Sequence, residues 1–266
     1  MKRLCFFMLM VLTVLSAFAQ PVDALSIIRR SRDRITAATI QSRSRWVITA
    51  KSGSTTERLI DQFSKDDAAG NGMDAAGKSR TVIEFREPAN VAGTRFLTME
   101  AGSGADNRWI FLPSLGKVRR IAASEGSGSF MGTDFSYDDI SSADRDADLD
   151  VHTLLREENY NGKACYVIES KPKDSSYQYS KMVQWIDKNN SVNYKIELYD
   201  KKGVQVKTLE VLELKDVQGR LSPVKTRMTT PGAGTSTTIT VEILRYDQNI
   251  PESVFTTGYL ESGKAR

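Results

Sequence analysis

The feature that most constrains this chain is a period of two. From Arg45 to Tyr246, apolar and polar residues alternate in short runs separated by turn-forming residues. Side chains that alternate in this way belong to half-buried strands, with one face turned inward and the other outward. The runs predict strands at 45–51, 56–64, 80–86, 94–100, 108–113 and 118–122, then at 151–157, 164–170, 181–187, 191–199, 204–214, 223–229 and 236–246. Asn161-Gly162, Lys188-Asn189-Asn190, Lys202-Gly203 and Gln218-Gly219 carry turn chemistry between them. Links this short imply an antiparallel meander, because a parallel crossover needs about a dozen residues or more. A long meander curls or closes to limit its exposed edges. Two connections are longer, 66–79 and 124–150, and both are rich in small or polar residues.

Ahead of the strands, Asp23 is a good N-cap for a helix running to about Ile35. Leu25, Ile28 and Ile35 lie near one face with Ile27 beside them, and Arg29, Arg30, Arg32 and Arg34 crowd the remainder. The class is therefore mainly β with helical pieces (α+β). Without an internal repeat or a break in composition, residues 20–266 read as one domain.

The first nineteen residues read as an export signal. Lys2 and Arg3 form a basic start, Leu4 to Leu15 an apolar run, and Ala17-Phe18-Ala19 a small-x-small site with cleavage expected before Gln20. The run is short for a membrane span, and no cysteine stands at the cleavage point for lipid attachment. Cys5 would leave with the leader, so Cys165 would be the sole thiol and no internal disulfide could form. The expected compartment is the periplasm, with a mature protein stabilised by its core.

Composition narrows the function classes. Charged residues at 26% and hydrophobic ones at 40% exclude a wholly disordered chain. Lys plus Arg exceed Asp plus Glu by only 37 to 33, too little for a dedicated nucleic-acid binder, although Lys117, Arg119 and Arg120 lie beside Trp109. One histidine, His152, and two cysteines leave no Cys/His zinc site, and no nucleophile-elbow Gly-x-Ser-x-Gly is present. The acidic run Asp144 to Asp150 fails as a calcium loop, since Leu149 and Leu155 stand where Gly and Glu are required. Gly126-Ser127-Gly128-Ser129-Phe130-Met131-Gly132 has no Gly-Lys-Ser/Thr ending, so it reads as a flap bearing two large apolar residues and not as a phosphate cradle.

The stretch Arg108-Trp109-Ile110-Phe111-Leu112-Pro113-Ser114-Leu115-Gly116-Lys117-Val118-Arg119-Arg120-Ile121 continues to Gly128-Ser129-Phe130-Met131-Gly132-Thr133-Asp134-Phe135-Ser136-Tyr137-Asp138-Asp139. It resembles the motif of the outer-membrane lipoprotein-sorting-like family, relatives of the periplasmic carriers LolA and LolB. Weaker matches follow in the right order: Phe85-Arg86-Glu87-Pro88, Gly93 to Leu97, Cys165 to Glu169, Trp185-Ile186-Asp187 and Phe255-Thr256-Thr257. The segment 66–77 departs from the family as a surface insertion.

This resemblance implies an incomplete antiparallel β-barrel curled over a helical lid, with a groove that takes acyl chains of lipoproteins or other lipids. It implies no covalent chemistry, no cofactor and no metal. The residues it marks for groove or lid contacts are Trp109, Phe111, Leu112, Leu115, Phe130, Met131, Phe135 and Tyr137, any of which would otherwise be plain core. Arg119 and Arg120 are expected to pair with Asp134 or Asp138 and hold the flap. An inner-membrane exporter or an outer-membrane acceptor is the implied partner class, with transient membrane contact. The rival reading is a periplasmic adaptor or envelope-stress sensor that docks through Arg29, Arg30, Arg32 and Arg34. The plain reading of that face is solvated charge.

Overall fold

The computed structural model describes residues 23–66, 79–101, 106–141 and 145–265. The expected leader and most of the 66–79 connection lie outside them. The helix α1 (Ala24–Arg32) starts where the sequence places it, with the Asp23 carboxylate accepting from the Leu25 and Ser26 amides. It ends three residues before Ile35, and the chain there turns so that the Arg34 guanidinium donates to the Leu221 carbonyl.

Thirteen strands make one antiparallel sheet. The first arm is β1 (Thr39–Thr49), β2 (Thr55–Asp66), β3 (Ser79–Glu87), β4 (Arg95–Met99), β5 (Asn107–Leu112) and β6 (Lys117–Ile121). The second arm is β7 (Asp150–Tyr160), β8 (Lys163–Pro172), β9 (Lys181–Asp187), β10 (Asn193–Tyr199), β11 (Gln205–Val217), β12 (Arg220–Thr230) and β13 (Thr235–Tyr246). Each strand pairs with its neighbour in sequence, and β13 closes onto β1 to join the arms. Hairpin geometry follows the turn residues: at Asn161-Gly162 both φ angles are positive, 50° and 81°, which suits a two-residue turn matched to strand twist.

The edges β6 and β7 are not paired with each other, so the barrel stays incomplete, as expected. Exposed Lys117, Arg119 and Arg120 protect the β6 edge from further pairing, a structural use for the basic cluster beside Trp109. The chain passes from β6 to β7 by a strap, described over 122–141 and 145–149, that crosses the inner face. The strap holds the short helix α2 (Tyr137–Ser141) and, at its end, a turn of 3-10 helix, Ala147–Leu149.

Strand alternation gives the sheet two separate apolar faces. Trp46, Ile83, Phe85, Phe96, Ile110, Leu198 and Met228, drawn from both arms, meet on the inner face together with Phe130 and Phe135 of the strap. On the outer face, Val82 and Leu97 are covered by Val254, Phe255, Tyr259 and Leu260 of the C-terminal segment. That segment ends in α3 (Thr257–Ser262), which packs on β4, β5 and β6. Helix α1 buries Ala24, Ile27 and Ile28 against Ala147, Ile168 and Ile186.

Candidate functional site

A cavity of about 600 Å³ lies between the inner face, the strap and α1. Trp46, Ile83, Phe135, Leu198, Met228 and Ile239 give it an apolar lining, and Arg32, Arg34, Arg145 and Glu100 give it a polar fringe. Its volume is in the range that holds a small organic ligand.

The strap is fastened to the barrel by one aromatic plug and three aspartates. Phe130 is fully buried, with ring centroids 5.2 to 6.3 Å from Phe96, Tyr137, Phe85 and Trp46. Asp134 accepts hydroxyl hydrogen bonds from Thr230, Thr235 and Thr237, which tie it to the β12–β13 hairpin. Asp138 meets Arg108 of β5 at 2.6 Å. Asp139 meets Lys207 of β11 at 2.6 Å and accepts from the Tyr179 hydroxyl at 2.8 Å. Burial, reinforced by the Asp139 charge, pushes the Tyr179 phenol far above its usual range. Asp139 and Ser136 also cap each other's backbone amides and so start α2. At Gly126 the approach to Asp138 is so close that an added Cβ would stand 2.2 Å from the carboxylate. The glycine there is required by contact, and the flap read from the sequence is a seated strap.

The eight apolar residues singled out by sequence do not form one site. Phe135 lines the cavity. Phe130, Leu112, Met131 and Tyr137 pack in the inner core around the plug. Trp109 and Phe111 lie on the other side of the sheet, against the C-terminal segment. With Ile110 buried inward, the period of two sends both its neighbours out, a signal already present in the alternation of the sequence. Leu115 sits in the β5–β6 turn and is 56% exposed.

The expected ion pairs across the flap are corrected in the same way. Arg119 pairs with Glu125 at 2.8 Å, and Arg120 donates to Asn107. Glu125 also accepts from the Ala122 amide, which with Arg119 holds its carboxyl below the usual range. Both arginines sit on an edge strand and take partners close at hand, Glu125 at the start of the strap and Asn107 on the adjacent strand β5, whereas Asp134 and Asp138 lie further along the strap. Those two find three threonines and Arg108, respectively.

The helix arginines are largely engaged within the chain. Arg29 meets Asp148 at 2.7 Å, Arg32 meets Asp33 and Asp146, and Arg34 turns to the cavity, while Arg30 is exposed with no carboxylate partner among the described residues. The acidic run thus serves as their counter-charge, with Asp150 paired to Arg145, and Asp144 lies outside the described residues. No group of three or more potential metal ligands exists among the described residues.

His152 has both ring nitrogens engaged, Nδ1 with the Ser170 hydroxyl at 2.7 Å and Nε2 with the Ala147 carbonyl at 2.8 Å. The carbonyl can only accept, so Nε2 carries the proton and Nδ1 accepts from Ser170. This is the arrangement of a structural histidine.

A family model described as "-like: Uncharacterized protein" matches residues 77–262. The crystal structure of a DUF1329 family protein from Desulfovibrio piger is 29% identical, with a TM-score of 0.82 over 89% of this chain and 97% of that one. That of a domain from Vibrio parahaemolyticus, provisionally described as outer membrane lipoprotein-sorting, is 28% identical, with a TM-score of 0.81 over 90% and 98%. A LolA superfamily protein from Nitrosomonas europaea shares the fold at 22% identity, TM-score 0.71, over 90% and 100%. The chain belongs to the family of that model and has a LolA-like fold. No curated protein matches it. The match over residues 77–262 spans the strap and its latches, whereas Arg34 and Trp46 of the cavity wall precede it. Among the described residues no helix is long and apolar enough to cross a membrane.

Proposed function

We propose that this protein is a periplasmic, non-enzymatic carrier that holds the acyl chain of a lipid or lipoprotein in the strap-covered cavity for transfer toward the outer membrane. The observation that carries the reading is the cavity itself: about 600 Å³, apolar along its depth and charged along its fringe. The LolA-superfamily fold is that of a lipoprotein-sorting or carrier-like module, which supports it. Each buried methylene contributes about 0.8 kcal/mol, so roughly ten of them give a gross ~8 kcal/mol before association costs. Burial alone therefore sets a micromolar ceiling for a chain of that length, which association costs lower. Export by residues 1–19, a mature domain of 20–266, and delivery from an inner-membrane exporter to an outer-membrane acceptor belong to the same proposal. The adaptor reading is less favoured, because Arg29 and Arg32 are already engaged by Asp148 and Asp146.

The test is native mass spectrometry of the mature protein from its own periplasm, followed by organic extraction. A fluorescent fatty-acid displacement assay then compares the wild type with Met228→Trp, which fills the cavity. Copurifying lipid, together with probe binding lost in the filled variant, is expected. Protein free of lipid that also ignores the probe would overturn the carrier reading.

A further inference from the structure

The cavity fringe holds three arginines, and their surroundings differ. Arg32 is neutralised by Asp33 and Asp146, and Arg145 by Asp150. Arg34 has no carboxylate partner among the described residues; its recorded hydrogen bond goes to the Leu221 carbonyl. A guanidinium offers five N–H donors in a planar fork suited to a carboxylate or phosphate. Tyr246 lines the same cavity.

Next to Tyr194, Asn193 also lines the cavity and ends a polar chain that runs along the wall. Its amide donates to Gln184, Gln184 donates to Ser170, and Ser170 reaches His152, which ends on the Ala147 carbonyl. Every donor in this chain points the same way, so the bonds polarise one another. The first acceptor, Asn193 Oδ1, is buried and has no donor. A buried acceptor without a donor is costly; Oδ1 is closed to water, so a ligand N–H or O–H reaches it once the Asn193 amide turns toward the cavity that its residue lines.

We propose that the cavity selects an anionic amphiphile: an acyl chain against the apolar wall, a carboxylate or phosphate on Arg34, and a hydrogen-bond donor on Asn193. This rests on the carrier reading and narrows it to one class of head group. An unpaired cation at the mouth of an apolar cavity disfavours cationic amphiphiles by like-charge repulsion and rewards anions with charge-assisted hydrogen bonds.

The test is displacement of a neutral fluorescent acyl probe, below micelle-forming concentrations, by dodecanol, dodecanoate, N-dodecanoylglycine, dodecyltrimethylammonium and inorganic phosphate. Wild type is expected to bind dodecanoate about tenfold more tightly than dodecyltrimethylammonium, as one charge-assisted hydrogen bond provides. N-dodecanoylglycine should gain several-fold more. Arg34→Gln should erase the preference for anions and leave dodecanol unchanged, and Arg34→Lys should restore part of it. Asn193→Leu should remove only the advantage of the acylglycine. Equal affinity for the cationic and anionic chains, or a preference that survives Arg34→Gln, would overturn the head-group proposal with the carrier reading intact. An acylglycine advantage that survives Asn193→Leu would overturn the role of Asn193. Displacement by inorganic phosphate as strong as by dodecanoate would overturn the lipid as the source of the anion. If no amphiphile displaces or the probe never binds, the carrier reading itself fails.

Discussion

Removing the plug is the sharpest test of how this barrel is covered. Phe130 is fully buried and touches rings from three strands, Trp46 of β1, Phe85 of β3 and Phe96 of β4, as well as Tyr137 of the strap. Phe130→Ala should therefore cost about 3–5 kcal/mol, the usual loss for a core phenylalanine once the cavity left behind is included. That is a large part of the roughly 5–15 kcal/mol available to a folded domain. The reasoning makes the strap part of the core and not a detachable door, so its loss should appear in global unfolding. Urea denaturation followed by tryptophan fluorescence should show an earlier midpoint with an unchanged slope, since the surface exposed on unfolding stays nearly the same. A loss below about 1 kcal/mol, with exchange of strap amides greatly accelerated, would refute this and show that the strap opens independently. By contrast, the Arg29–Asp148 pair that ties α1 to the end of the strap is about half exposed on both partners and contributes little.

Three further outcomes follow from the same geometry. Asp134→Ala leaves the hydroxyls of Thr230, Thr235 and Thr237 without their shared acceptor and should cost about 3 kcal/mol in chemical denaturation; a neutral result would show that the threonines find other partners. Trp109→Ala should cost about 2 kcal/mol of stability yet leave acyl-probe affinity within about twofold, because Trp109 packs on the outer face against the C-terminal segment; a large loss of binding would put it back in the groove. Burial, followed by a nearby carboxylate, pushes Tyr160, Tyr199 and Tyr259 up to about 12. An unfolded tyrosine releases its proton near 10, so the folded state binds more protons between those values. Stability is thus fully present below pH 10 and is lost as pH rises toward 12. Tyrosinate absorbance should rise in two stages, and complete titration near pH 10 with the fold intact would contradict it.

Much of the architecture can be read along the chain because strands are local. The alternation marks the strands within about three residues of their observed ends except β1, which begins six residues before Arg45, and Asp23 caps α1 as its side chain predicts. Alternation also contains the reason why Trp109 and Phe111 point away from the cavity, since Ile110 and Phe130 share the inner face. The latches are a different matter. Asp139 and Lys207 are 68 residues apart, and Asp134 and Thr237 are 103 apart. No period or spacing relates such residues; they meet because the strap must cross from one sheet edge to the other.

What the sequence by itself determined is the set of strands, their antiparallel order and which side chains share a face, because each follows from backbone geometry and turn chemistry over a few residues. Only the tertiary structure decided where the apolar surface remains uncovered and which arginine on the cavity wall is left without a carboxylate partner among the described residues. Those are differences between what the chain supplies and what packing consumes. Asp148, Asp146 and Asp150 neutralise Arg29, Arg32 and Arg145, while Arg34, on the same short segment, is left facing the cavity.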